Sequence, residues 1–393
     1  MRLSQRLQQL AESATLAVSA KAAAMQKQGI DVVSFGAGEP DFPTPEPIRN
    51  ACKAALDAGH TGYAKPASGI MPAKEAACLK LKRENNLDYK PSQVLITVGG
   101  KEALYLASMS LFDPGDEVIL PAPYWVSYPE QIKLCGAVPV VVEGCESNNF
   151  KLTPEQIANA ITPKTRGLIF NSPSNPGGFT YSPEDVVAIA KVVAGKDIIV
   201  FSDEMYDRLL YGNQRFMSFA AVSPEAYNQT LTFNAGSKAY SMTGWRVGYV
   251  AGPEPIIKAM ANLQSQTTSG TATFCQYGLV EALKGDQACV EVMRKEFERR
   301  AEYMWQRLNQ IKGVRCVQPT GAFYAFPNVS KAFATLGVNN SLDFSAKVLE
   351  QAHVALVPGV AFGTDNYVRL SFATSMEKIK EGLDRLEKLL GKA

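Results

Sequence analysis

Short runs rich in β-branched residues recur along the first two-thirds of the chain, and no other feature limits its fold so strongly. They are Val94–Val98, Glu117–Leu120, Val138–Val142, Gly167–Phe170, Ile198–Phe201, Thr230–Phe233 and Val247–Val250. Several are apolar almost throughout, as strands buried on both faces of a parallel sheet must be. Amphipathic stretches lie between them, such as Lys101–Phe112 and Pro183–Val193. The second follows Ser182, a good N-cap with proline in the first turn. This alternation predicts an α/β fold with right-handed crossovers. Beyond residue 286 the rhythm changes. A long charged helix is predicted over Asp286–Gln310, then strands at Val314–Val317, Gly321–Phe326, Val354–Val357 and Tyr367–Phe372, with helices at Ser341–Gln351 and Met376–Leu390. That mixture predicts a smaller α+β lobe, and Gly36–Pro47 reads as a linker after an N-terminal helix. A length of 393 residues suits two domains, or one large domain with a lobe.

Composition removes several classes of function. Lys+Arg is 40 against Asp+Glu 38, so no basic excess marks a nucleic-acid footprint. No apolar run approaches the ~18–20 residues that span a bilayer. Arg2, Arg6, Glu12 and Lys21 interrupt the N-terminal stretch, which argues against a secretory signal, and Glu12 counts against a transit peptide. The seven scattered cysteines include no C-x-x-C pair and read as reduced thiols of a cytoplasmic protein. With only His60 and His353, a histidine metal site is excluded and Ser-His-Asp or Cys-His chemistry is disfavoured. The chemistry must rest on other groups or on a cofactor.

In an open α/β sheet, ligands bind beyond the carboxyl ends of the strands, so the residues just after each run are the candidates. Gly99-Gly100-Lys101 follows the first run. Glycines leading into a helix let backbone N–H groups approach an anion, although an ordinary tight turn looks the same. Trp125, in Pro121-Ala122-Pro123-Tyr124-Trp125, offers either a stacking face or core packing, and core packing is the better reading of the segment alone. The loop Asn171 to Gly178 places Asn175 beside two prolines, with a cis X–Pro bond in prospect. Asp203, in Ser202-Asp203-Glu204-Met205-Tyr206, is either a helix N-cap or a carboxylate awaiting a cation such as a protonated ring nitrogen. Lys238 stands eight residues before Arg246. The pair reads either as a Schiff-base lysine with a phosphate-binding arginine, or as two solvated cations. Arg369, within the apolar Tyr367–Phe372 run, needs an anion, either a substrate carboxylate or a structural acid.

The order of these segments resembles the fold-type I pyridoxal-phosphate enzymes, class I/II aminotransferases, and within them the bacterial aspartate aminotransferase branch. Ser172-Pro173-Ser174-Asn175-Pro176, Ser202 to Tyr206, and Ser237-Lys238-Ala239-Tyr240-Ser241-Met242-Thr243-Gly244-Trp245-Arg246 carry it, and matching segments run from Ser34 to Arg369. The resemblance implies a large domain over residues 41–285, with a mostly parallel sheet flanked by helices. Residues 1–40 and 286–393 form the smaller α+β domain. It implies pyridoxal 5'-phosphate as cofactor, joined to Lys238 as an internal aldimine, with Lys238 then acting as the base on the α-proton. Asp203 pairs with the pyridinium nitrogen; Asn175 and Tyr206 bond the ring hydroxyl; Trp125 stacks on the ring. Gly100, the Lys101 backbone, Ser237 and Arg246 hold the phosphate, and Tyr63 reaches the cofactor of the partner in a homodimer. Arg369 and Asn175 grip the substrate α-carboxylate under the Gly38 backbone, and Lys101 reads a distal carboxylate. The implied reaction is ping-pong transfer from aspartate to 2-oxoglutarate, the alternative being an aspartate/prephenate or aromatic aminotransferase. Two departures from the family pattern stand out. Gly177-Gly178 replaces Thr-Gly, which is expected to loosen the Asn175 loop, and Met71-Pro72-Ala73-Lys74 reads as a surface variation. A nicotinamide dehydrogenase would need G-x-G-x-x-G after a strand, and none is present there. A regulator of this fold would need a DNA-binding extension, which is not expected here.

Overall fold

The computed structural model describes residues 4–11 and 13–393. Glu12, used above against a leader peptide, lies outside them. Twelve strands occur in chain order among the described residues. They are β1 (Val33–Ser34), β2 (Val94–Thr97), β3 (Glu117–Ala122), β4 (Val138–Glu143), β5 (Thr165–Asn171) and β6 (Ile199–Asp203). Then come β7 (Thr230–Ala235), β8 (Gly248–Ala251), β9 (Tyr324–Ala325), β10 (Val354–Ala355), β11 (Val357–Pro358) and β12 (Val368–Ser371).

All seven runs read from the sequence form one sheet, in the order β2-β8-β7-β6-β5-β3-β4. Neighbours pair in parallel from β7 to β4, whereas β8 runs antiparallel to both β2 and β7. The central strands β7 and β8 are buried along their whole length, as strands covered on both faces are. Between them, the Pro183–Val193 helix starts as expected, with the Ser182 side chain accepting from the Asp185 N–H. Another helix begins two residues earlier than expected, at Gly99 rather than Lys101. The glycines are therefore its first turn, not a turn before it.

The C-terminal part is an α+β arrangement. Its long helix spans Ala288–Leu308, and a second helix, Met376–Leu390, has the bounds the sequence predicted. The expected strand at Val314–Val317 is corrected to a single bridge between Arg315 and Asn328. The reason is local: the Asn309 side chain takes the Cys316 N–H and, with the Trp305 indole, its carbonyl, leaving no ladder to extend. The expected Val354–Val357 strand is two short ones. β10 pairs in parallel with β1 near the N-terminus, and β11 pairs antiparallel with β12. Leu356, between them, is buried. The Gly36–Pro47 stretch has no regular structure until the Glu46–Asp57 helix, consistent with a connector. It passes across the carboxyl ends of the strands, where Gly36, Gly38 and Glu39 join the cavity described next.

Candidate active site

β6 and β7 lie side by side in parallel, so their carboxyl ends deliver Asp203 and, three residues beyond β7, Lys238 to the same edge of the sheet. The adjacent β5 ends at Asn171. Its amide donates to the Asp203 carbonyl at 3.0 Å, and its oxygen accepts from the Asn175 N–H at 2.9 Å. The loop between is pinned further: Ser174 N–H donates to the Phe179 carbonyl at 2.9 Å, and Gly178 N–H to the Ser174 carbonyl at 3.0 Å. The expected loosening at Gly177-Gly178 is therefore corrected. The Phe179 ring occupies the space that a side chain on Gly177 would need, and Gly178 sits at a φ of +66°, where glycine is favoured. Both Ser172–Pro173 and Asn175–Pro176 are cis.

From the β2 side, the Gly99–Leu111 helix points its first-turn N–H groups at this edge. A Cβ on Gly99 would come within 2.7 Å of an Arg246 Nη atom, and one on Gly100 would collide with the Met205 methyl. Only glycines let the helix end and the guanidinium come so close. Arg246 is in the left-handed region, its backbone carbonyl held by Thr271 Oγ1 at 2.7 Å.

Every site residue named from the sequence except Tyr63 lines one cavity of about 530 Å³. Tyr63 is 84% exposed and lies outside it. Burial of charge dominates the electrostatics. The Asp203 carboxyl is pushed up to about 6 by burial, against hydrogen bonds from Tyr128 Oη at 2.5 Å and the Met205 N–H at 3.2 Å, and against nearby Lys238. The N-cap reading thus gives way to a buried acid short of a cation. Burial, then Arg369, draws the Lys238 ammonium down to about 8, with Glu39 and Asp203 opposing. Lys238 Nζ donates to the Gly38 carbonyl, so the connector closes over it.

Arg369 is 1% exposed. It donates to Asn175 Oδ1 and to the Gly36 carbonyl, each at 3.0 Å, and its guanidinium lies 4.6 Å from the Tyr324 ring centre. Its Nε has no partner, and it forms no ion pair among the described residues. The structural salt bridge is therefore ruled out for the described residues. Lys101 and Arg246 likewise line the cavity without an ion-pair partner among the described residues. Lys101 Nζ sits 4.8 Å from the Trp125 ring centre, a cation–π contact that gives the indole a site role rather than a purely core one. Three cations thus face one cavity, none of them in an ion pair with a carboxylate among the described residues.

The chain matches the family Aminotransferase class I and II over residues 30–386. It belongs to that family. The aspartate aminotransferase of Geobacillus stearothermophilus is 47% identical over 99% of both chains. An aspartate/prephenate aminotransferase of Nitrosomonas europaea is 43% identical over 99% of this chain and all of that one. The crystal structure of Thermus thermophilus aspartate aminotransferase with maleate superposes with a TM-score of 0.94 at 42% identity, covering 99% of this chain and 100% of that one.

Aminotransferases of this class use pyridoxal 5'-phosphate. The cavity suits a flat, phosphorylated pyridinium aldehyde. It offers a helix N-terminus with a close guanidinium at one part of the wall, a buried acid short of a cation, an indole face and a buried amine of lowered basicity. Sequence reasoning missed other residues of this aminotransferase cavity. Tyr128, in the first turn of the Ser127–Leu134 helix, stands three residues after Trp125, and their ring centres lie 5.3 Å apart. Tyr324, whose Oη is 2.9 Å from that of Tyr206, gave no signal, because its strand comes from the far end of the chain. Ser13, Thr15, Leu16 and Ser19, in and just before the Ala14–Lys27 helix, also reach the cavity.

Tyr128→Phe removes a donor from Asp203 and raises its carboxyl further. Because the folded value lies above the ordinary 3.8, ionisation in the fold opposes stability as pH climbs from that value through about 6. Wild type and variant lose stability in parallel up to about pH 6, so in the apoprotein the thermal midpoint of Tyr128→Phe should fall increasingly below that of the wild type as the pH rises from about 6 to 8. A gap that stays constant across that range would contradict the assignment.

Proposed function

We propose that the chain is an aspartate aminotransferase, converting L-aspartate and 2-oxoglutarate to oxaloacetate and L-glutamate in two half-reactions at one site. The observation that carries this reading is the set of cations without an ion-pair partner among the described residues, Arg246, Lys101 and Arg369, around one cavity. A phosphate and two substrate carboxylates would supply the missing anions. The names of the Geobacillus and Thermus relatives, and the dicarboxylate maleate in the Thermus structure, support the same substrate class.

When bound, pyridoxal phosphate supplies the electron sink that acidifies the substrate Cα and the carbon that carries the amino group between half-reactions. On this reading Gly100, the Lys101 backbone, Ser237 and Arg246 hold the phosphate. Asp203 presents its carboxylate to the ring nitrogen, Asn175 and Tyr206 face the ring hydroxyl, and Trp125 covers the ring. Arg369, positioned by Asn175, binds the α-carboxylate, and the Gly38 backbone closes over it. Lys238 is the attachment residue, and its Nζ takes the proton that leaves the substrate Cα. A value of about 8 leaves part of the amine neutral near pH 7, as a base requires. Lys101 receives the distal carboxylate. As a point charge rather than a fork, it discriminates less sharply than arginine.

A homodimer is part of the proposal. Tyr63 is too exposed to serve its own chain's cavity and would reach the partner's phosphate end. So are the division into residues 41–285 and 1–40 with 286–393, and a cytoplasmic location, for which the scattered cysteines speak. A second reading, an aromatic or aspartate/prephenate aminotransferase, is favoured by a neighbouring cavity of about 740 Å³. It shares Lys101 and Val126 with the first and is walled partly by Tyr105, Tyr124 and Val360. Single-turnover half-reactions with aspartate, phenylalanine and arogenate separate the two, and no conversion with aspartate would sink the leading one.

Lys238→Ala should reduce turnover by at least about 10³-fold while leaving the circular dichroism spectrum unchanged, since attachment and proton transfer share one side chain. Near-normal turnover would remove that role. Lys101→Ser should raise KM for aspartate and glutamate about 10- to 100-fold, the worth of a charged hydrogen bond, while sparing uncharged amino acids. An equal loss for both kinds of substrate would show that Lys101 does not read the distal carboxylate.

A further inference from the structure

Outside the cavity lining lies a buried polar cluster to which the mechanism above assigns no part. Its centre is Lys80, 1% exposed, on the Met71–Asn85 helix. Lys80 Nζ pairs with Asp207 and donates to Asn85 Oδ1 at 2.7 Å. Asn85 Nδ2 passes the link to Glu204 Oε2 at 2.8 Å, while Ser202 and Ser218 donate to the other Glu204 oxygen at 2.8 and 2.6 Å. Asn234 Nδ2 donates both to the Glu204 carbonyl and to Asp207 Oδ2, each at 3.0 Å. Glu84 comes within 3.8 Å of Lys80, but Arg208 engages it at 2.6 Å. Lys80 is thus the only cation in an ion pair with Asp207 among the described residues.

The chain connectivity gives this cluster a consequence. Glu204 is the residue after Asp203, and Asp207 the residue after Tyr206. Asn234 lies near the end of β7, four residues before Lys238. Its Oδ1 also accepts from the Ala235 N–H at 2.7 Å. The cluster therefore ties the segment bearing Asp203 and Tyr206 to the segment bearing Lys238, and anchors both to one helix. A buried ion pair adds little stability over a well-packed apolar replacement. Its directional hydrogen bonds do fix positions, and a site of this kind tolerates errors of only about 0.5 Å.

We propose that Lys80, which touches neither cavity nor substrate, is a positioning residue: through Asp207, Asn85, Glu204 and Asn234 it locks the Asp203–Asp207 segment against the β7 end that leads to Lys238. The inference rests on the roles given above to Asp203 and Lys238.

The test compares wild type, Lys80→Met, and Lys80→Met/Asp207→Asn, in which the unpaired buried charge left by the single change is removed. Three quantities are read. One is the thermal midpoint of the apoprotein. Another is the pH midpoint for labelling of Lys238 in the apoprotein by an amine-reactive reagent, followed by peptide mapping. The last is kcat and KM of the cofactor-loaded enzyme. Lys238 faces Arg369, Arg246, Glu39 and Asp203, and loosening its segment admits water and relaxes its lowered value. The double variant should recover most of the thermal midpoint lost in Lys80→Met. Its labelling midpoint should rise by about half a pH unit or more, and kcat should fall about tenfold or more with KM little changed. A double variant with wild-type labelling midpoint and wild-type kcat overturns the proposal, as does a loss of kcat that only follows a loss of thermal midpoint. If neither Lys80 variant folds, Asn234→Ala, which removes the strut without stranding a charge, is judged by the same readings. Failure of the underlying roles would look different: Lys238→Ala would keep its turnover, whatever the Lys80 variants do.

Discussion

Positive charge without an ion-pair partner among the described residues organises the site. Most cations in the structure sit at the surface or against acids, as Arg300 does between Asp41 and Glu296. Arg369, Lys101 and Arg246 have no acid partner among the described residues, and all three face one cavity, with Arg369 buried and Lys101 and Arg246 exposed. Burying a cation without a partner is costly, and Arg369 is as deeply buried as most of the core. Such an arrangement is sustained when the missing anion arrives with the ligand, so that the same deficit that weakens the empty protein strengthens the complex. Asp203 mirrors the situation with opposite sign. Its only strong donors are a phenol and a backbone N–H, and a ring cation would complete it.

The fold places these groups together by simple means. Parallel strands begin and end in common, so the segments after β5, β6 and β7 collect at one edge. The helix after β2 brings its N-terminus to the same edge, where glycines let Arg246 close on it. The remaining members come from the ends of the chain. β12 carries Arg369 under the Gly36–Glu39 connector, and the β1–β10 pairing ties that connector to the C-terminal part. A ligand that binds here must touch both parts of the chain at once.

Much of this was legible in the sequence, because the strands of a buried parallel sheet announce themselves as apolar runs and their ends announce the site. Pro183–Val193 and Met376–Leu390 were legible to the residue, through a serine cap and a regular apolar stripe respectively. Val314–Val317 was misread because its β-branched residues suit a strand, while its backbone is claimed by the side chains of Asn309 and Trp305, a tertiary effect no local pattern carries. The Gly177-Gly178 departure was misread for a local reason: backbone hydrogen bonds among Ser174, Gly178 and Phe179 pin the loop without the missing hydroxyl. Tyr324 and the Lys80 cluster were invisible because their partners lie more than a hundred residues away in sequence. The ordered recurrence of Asn175, Asp203, Lys238, Arg246 and Arg369 said more than any one of them, since each alone had an ordinary structural explanation.

The attachment of the cofactor to one buried amine is the point on which the rest turns. Reduction of the freshly purified, coloured protein with borohydride, followed by peptide mapping, reads it directly. The account predicts loss of the visible absorption and a single phosphopyridoxyl mark on the peptide containing Lys238. A colourless preparation, or a reduced protein in which Lys238 is unmodified, would contradict it.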